Sequence, residues 1–172
     1  MRADREAIAL LDRLGLDQPP IPVEDIAAKL GAILMRDDFS DDDVSGLLIR
    51  EGDEQVIGVN KRHSRARQRF TIAHEIGHLL LHAGKPVILD RARVNFRDAV
   101  SSMATDYDEI QANAFAAELL MPRDMVMAES RRLASEHAAE DEDALLQILA
   151  DRFEVSAEAM NFRLINLGII WR

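Results

Sequence analysis

The stretch Arg67-Gln68-Arg69-Phe70-Thr71-Ile72-Ala73-His74-Glu75-Ile76-Gly77-His78-Leu79-Leu80-Leu81-His82 decides how this chain is read. Phe70, Ile72, Ala73, Ile76, Leu79, Leu80 and Leu81 surround most of a helical circumference, which predicts a buried helix from about Ser64 to His82, ending before Gly84 and Pro86. Within it stands an H-E-x-x-H pattern, His74-Glu75-Ile76-Gly77-His78. At about 100° per residue the two histidines lie about 40° apart and one turn along, so both imidazoles can reach one metal ion. Glu75 falls on the adjacent flank, where a carboxylate can contact a metal-bound water without ligating the metal, as a general base must. Ionisable groups inside a buried helix have to be paired or bind metal.

Composition narrows the ligand set. The 172 residues contain no cysteine, which excludes disulfides, thiol nucleophiles and any Cys-ligated metal, leaving His, Asp and Glu as ligands. Such His/carboxylate sets accept zinc and manganese alike. With 48% apolar and 30% charged residues, 8 Gly and 5 Pro, the chain reads as a helix-rich globule, neither collagen-like nor disordered. Its length fits one domain spanning 1–172: N-terminal helices over 1–31, a sheet and the metal-site helices over 32–122, and a helical segment over 123–172. The net charge of −10 repels a polyphosphate, so direct nucleic-acid binding is not expected. Met1-Arg2-Ala3-Asp4-Arg5-Glu6 lacks a signal-peptide pattern and no window approaches 18 apolar residues, which leads to an expectation of a cytoplasmic protein without a membrane partner.

Around the decisive helix the fold class is α+β and mostly helical. Ile8, Leu11 and Leu14 mark a first helix over 3–14, and Ile26, Ala27 and Leu30 a second that stops at Gly31. Ala32 to Met35 reads as a short strand. Gly46 to Arg50 and Gln55 to Asn60, joined by Glu51-Gly52-Asp53-Glu54, read as a hairpin, giving a small antiparallel sheet. Val87 to Leu89 and Val94 to Phe96 are strand candidates. Thr105 with Asp108 matches a capping box opening a helix that reaches Met121-Pro122. Further helices are expected near 122–135 and 142–153, separated by an acidic linker from Glu136 to Asp143, and from Ser156 to Gly168.

A catalytic zinc site takes three protein ligands and leaves one position open. A metzincin would need Gly at 81 and His at 84, where this chain has Leu81 and Gly84. The helix after Thr105 offers Glu109 and Glu118, which are nine residues apart, about 180° in phase, and so face opposite sides. Glu109 is the expected ligand. It shares a face with Asn113, which can hold the outer nitrogen of a ligating histidine, and Ala112 and Ala116 allow close helix approach. Glu118 is expected at the surface, solvated or salt-bridged. Tyr107, the only tyrosine, and His82, one turn beyond His78, are candidate oxyanion donors; packing and a helix-end role are their plainer readings.

These two motifs together, residues 67–82 and Glu109-x-x-x-Asn113-x-Phe115-Ala116-Ala117-x-Leu119-Leu120-Met121-Pro122, resemble the ImmA/IrrE metallopeptidases. Phe153-Glu154-Val155-Ser156 and Arg163-Leu164-x-x-Leu167-Gly168 resemble that family's tail, so the likeness covers roughly 20–170. It implies a compact gluzincin-type fold with Zn2+ on His74, His78 and Glu109 and Glu75 as base. It also implies narrow endopeptidase cleavage of a helix-turn-helix repressor encoded nearby. Larger radiation-response members carry C-terminal domains for which 172 residues leave no room, so the chain resembles the minimal form.

Three other features of the sequence invite different readings. Asp37 to Asp43 clusters carboxylates but lacks the Gly and terminal Glu of an EF-hand loop. Lys61 to Arg69 holds five basic side chains that either pair with the abundant acids, line a substrate groove or meet nucleic acid. Residues 149–164 look like a helix-turn-helix, yet only Asn161 and Arg163 could read base edges, and their apolar periodicity fits a structural helix pair. A metal-stabilised antirepressor or antitoxin module without turnover is the alternative from another functional class.

Overall fold

The structure is a computed structural model that describes residues 2–39, 43–84, 86–91, 102–136 and 142–169. Its elements run α1 (Arg2–Leu14), α2 (Val23–Lys29), β1 (Ala32–Asp37), β2 (Val44–Glu51), β3 (Glu54–Asn60), α3 (Arg65–Leu81), β4 (Val87–Arg91), α4 (Ser102–Leu120), α5 (Arg123–Glu136), α6 (Glu142–Phe153) and α7 (Ala157–Asn166). The α+β, mostly helical class follows from this order. No helix among the described residues is long and apolar enough to cross a membrane.

The sheet order is β1-β3-β2-β4. β2 pairs antiparallel with both β3 and β4, but β1 pairs parallel with β3, so the sheet is mixed where an antiparallel one was expected. Local turn chemistry makes the β2–β3 hairpin visible in sequence; β1 joins on the far side of β3 through non-local pairing that no turn signals. A second correction concerns α4. It begins at Ser102, so Thr105 and Asp108 lie inside the helix and do not form its cap. Capping preference is a weak prior against three further residues that contain no helix breaker. Val94 to Phe96 and residues 137–141 of the acidic linker lie outside the described residues.

One face of the sheet, through Leu48, Ile57 and Val59, is fully buried in a core that also takes in Ile72 and Ile76 of α3. α3 starts at Ser64, whose hydroxyl accepts the Arg67 N–H. It settles on the sheet because β2 has Gly46 beneath it: a Cβ there would stand 2.3 Å from Thr71 Cγ2 and 2.9 Å from the Gly58 carbonyl oxygen. On its other side α3 meets α4 at Gly77, where a Cβ would lie 3.1 Å from Phe115 Cδ1 and 3.2 Å from Ala112 Cα. Small residues on both helices therefore bring the H-E-x-x-H helix against the one that carries Glu109.

Candidate metal centre

Three donor groups meet between α3 and α4. His74 Nε2 and His78 Nε2 are 3.0 Å apart, and they lie 3.1 and 3.2 Å from the two carboxylate oxygens of Glu109. Donors at about 2.05 Å from a tetrahedral ion are spaced about 3.3 Å from one another, close to this triangle. Among the described residues these three form the group able to hold a metal ion. Both histidines are buried, at 2% and 1% exposure.

The outer ring nitrogens explain which inner ones face the centre. His74 Nδ1 is 3.0 Å from Asn113 Oδ1, an acceptor, so Nδ1 carries the proton and Nε2 presents a lone pair. His78 Nδ1 lies 3.0 Å from His82 Nδ1, and His82 Nε2 lies 3.3 Å from Asp108 Oδ1. With His78 Nδ1 donating to His82 Nδ1, His78 also turns a lone pair inward. Two lone pairs and a carboxylate converging in a buried site repel unless a cation or protons stand among them, so the donor set fits a divalent metal. Burial pushes the Glu109 carboxyl up, but hydrogen bonds from His74 and His78 outweigh it and hold it at about 2.

Glu75 is wholly buried on the sheet side of α3, and a Cβ at Gly46 would stand 3.3 Å from its Oε1. Arg50 of β2 supplies a nearby positive charge. Burial lowers the Arg50 pKa and the Glu75 carboxylate partly offsets that, while the Arg50 guanidinium donates to the His78 carbonyl at 2.8 Å. That carbonyl lies in the last turn of α3, where a cation complements the helix dipole.

The other sequence candidates are placed differently. His82 has one ring nitrogen beside His78 and the other 3.3 Å from Asp108, so it stands behind a ligand candidate. Tyr107 is 61% exposed and about 200° around α4 from Glu109, turned away from the three donors. Glu118 does face away from the centre, but it is buried, not solvated: it accepts the Arg123 N–H and pairs with Arg163. That pair occupies one of the two supposed base readers, and Leu149, Phe153, Met160 and Leu164 bury the helix pair in the core. The basic run is largely spent within the fold. Arg65 and Arg69 pair with Glu154, Arg62 with Asp38, and Arg67 donates to Ser45.

Three contributors were missed in the sequence. Gly46 had a signal, since glycine inside a strand marks close approach by another element. Arg50 and Asp108 had none, because their partners come from other elements.

Comparison with known proteins identifies the family. The family described as Peptidase_M78, IrrE N-terminal-like domain, matches residues 27–165. An uncharacterized immunity region protein 2 of Bacillus phage phi105 is 34% identical over 68 residues, 40% of this chain and 39% of that protein. A Mycobacterium tuberculosis transcriptional regulator superposes with a TM-score of 0.59 at 20% identity, over 95% of this chain and 46% of that one, a likeness of fold. The chain thus matches less than half the length of either protein.

Proposed function

Because the chain belongs to the Peptidase_M78 family of IrrE N-terminal-like domains, we propose that it is a zinc endopeptidase that cuts a partner regulatory protein, a helix-turn-helix repressor encoded nearby. The observation that carries this reading is the convergence of His74 Nε2, His78 Nε2 and the Glu109 carboxylate beside a wholly buried Glu75. His74, His78 and Glu109 would hold the ion, and Asn113 and His82 would fix the two rings. When bound, zinc supplies Lewis acidity that activates a water and polarises a carbonyl. Glu75 takes the proton released as the water oxygen bonds to the scissile carbon, holds it on its carboxylate, and returns it to the amine nitrogen as the C–N bond breaks. Arg50 provides counter-charge to that carboxylate. A regulatory partner is supported by the immunity-region relative, and the net charge of −10 favours a basic protein over DNA.

The test is incubation of the zinc-loaded chain with the neighbouring gene's product, read by mass spectrometry of the fragments. Wild type should give one cut and Glu75→Gln, with zinc retained, none. If Glu75→Gln relieves repression as well as wild type does, the chain is a metal-stabilised binding module and the peptidase reading fails.

A further inference from the structure

On the side of α4 turned away from Glu109, a groove of about 900 Å³ opens between α1, α4, α5 and α7. Its apolar lining includes Ile8, Leu16, Ala117, Met125 and Leu167; Ile8 is 44% exposed and the others are half-buried. The floor is fixed by the Glu118–Arg163 pair, with the Arg123 N–H donating to Glu118 and Arg163 donating to the Met121 carbonyl at 2.9 Å. These bonds tie α4, the start of α5 and α7 together, so the groove is preformed. The rim is acidic. Asp12, Asp17 and Asp124 stand against Arg123, while Arg163 is neutralised by Glu118.

We propose that this groove docks a cationic amphipathic helix of the protein substrate. The word substrate rests on the endopeptidase reading; the docking rests on the groove alone. A trough between helices with an apolar floor suits a helix that presents apolar anchors at i, i+3 or i+4, and i+7, and lysines or arginines beside those anchors meet the acidic rim. The same rim repels polyphosphate, anionic lipid and a second copy of this acidic chain. Docking remote from the metal centre raises the local concentration of the scissile segment, so it acts on KM and leaves kcat alone.

The experiment titrates the zinc-loaded full chain with a 14-residue amphipathic Leu/Lys peptide and with its Leu/Glu counterpart, by fluorescence anisotropy and amide NMR shifts. Support is saturable binding of the Leu/Lys peptide alone, with shift changes at Ala117, Met125 and Leu167. Asp12→Lys/Asp17→Lys should weaken it about tenfold, as expected for two reversed charges at a screened rim. Ile8→Ser should weaken it too, whereas Asp53→Lys/Glu54→Lys, at the distant β2–β3 turn, should not. Equal weakening by the Asp53/Glu54 pair, or shift changes confined to other parts of the chain, overturn the proposal. Glu75→Gln should bind the peptide as wild type does, which separates a failed docking site from a failed peptidase. If the partner is cleaved, Asp12→Lys/Asp17→Lys should raise KM with kcat unchanged; an unchanged KM overturns the substrate role.

Discussion

His82 Nδ1 lies 3.0 Å from His78 Nδ1, so the histidine that caps the C-terminal end of α3 holds the second histidine of that helix from behind, with Asp108 3.3 Å from its other nitrogen. Asn113 does the same for His74 across the helix interface. Such outer contacts fix tautomer and ring orientation, and their loss costs about 10–100-fold in metal affinity. His82→Ala and Asn113→Ala are each expected to weaken zinc binding by that order in chelator competition, with helical circular dichroism unchanged. Wild-type affinity in His82→Ala would remove the bracing role.

Glu109 and Glu118 sit on opposite faces of one helix and should fail in opposite ways. Glu109→Ala is expected to lose zinc and stay folded. Glu118→Ala should keep zinc and lose about 3 kcal/mol or more, because it strands Arg163, whose side chain is 12% exposed, without its partner. Glu118→Leu with Arg163→Met should recover much of that loss, since removing both charges removes the desolvation penalty. Metal analysis and urea unfolding on the same three proteins check this.

What the sequence disclosed and what it hid divide along distance in the chain. His74, Glu75 and His78 were legible because one helical turn fixes their relation, and Asn113 because it lies one turn from Glu109. The side of α4 that Glu118 faces was legible from phase; its burial was not, since Arg163 comes from 45 residues further on. The parallel pairing of β1, the Arg50 contact to His78 and the capture of His82 by Asp108 all depend on tertiary placement that no local pattern encodes.

In the metal-free protein the Glu109 carboxyl is held down from 4.5 to about 2. A folded-state value below the unfolded one means that stability is fully present above about pH 4.5 and is lost as pH falls toward 2. Glu109→Gln in chelator-treated protein should therefore be less stable than wild type at about pH 5, and the two should converge as pH falls toward 2. Urea midpoints measured at intervals between these limits test the sign, and a gap that stays constant with pH contradicts it.

The seat of Glu75 on the sheet gives the last prediction. A Cβ at position 46 would meet Thr71 Cγ2 at 2.3 Å, the Gly58 carbonyl at 2.9 Å and Glu75 Oε1 at 3.3 Å, and Thr71 and Glu75 are fully buried. Gly46→Ala should then cost about 1–3 kcal/mol by overpacking and lower partner cleavage with zinc content unchanged. Thr71→Ser removes the worst contact but not the backbone carbonyl. In the Gly46→Ala background it should restore about 1 kcal/mol of stability as a coupling between touching residues, yet leave cleavage low because the displaced Glu75 gains nothing. Additive effects of the two substitutions on unfolding would show that β2 does not set the position of α3 at Glu75.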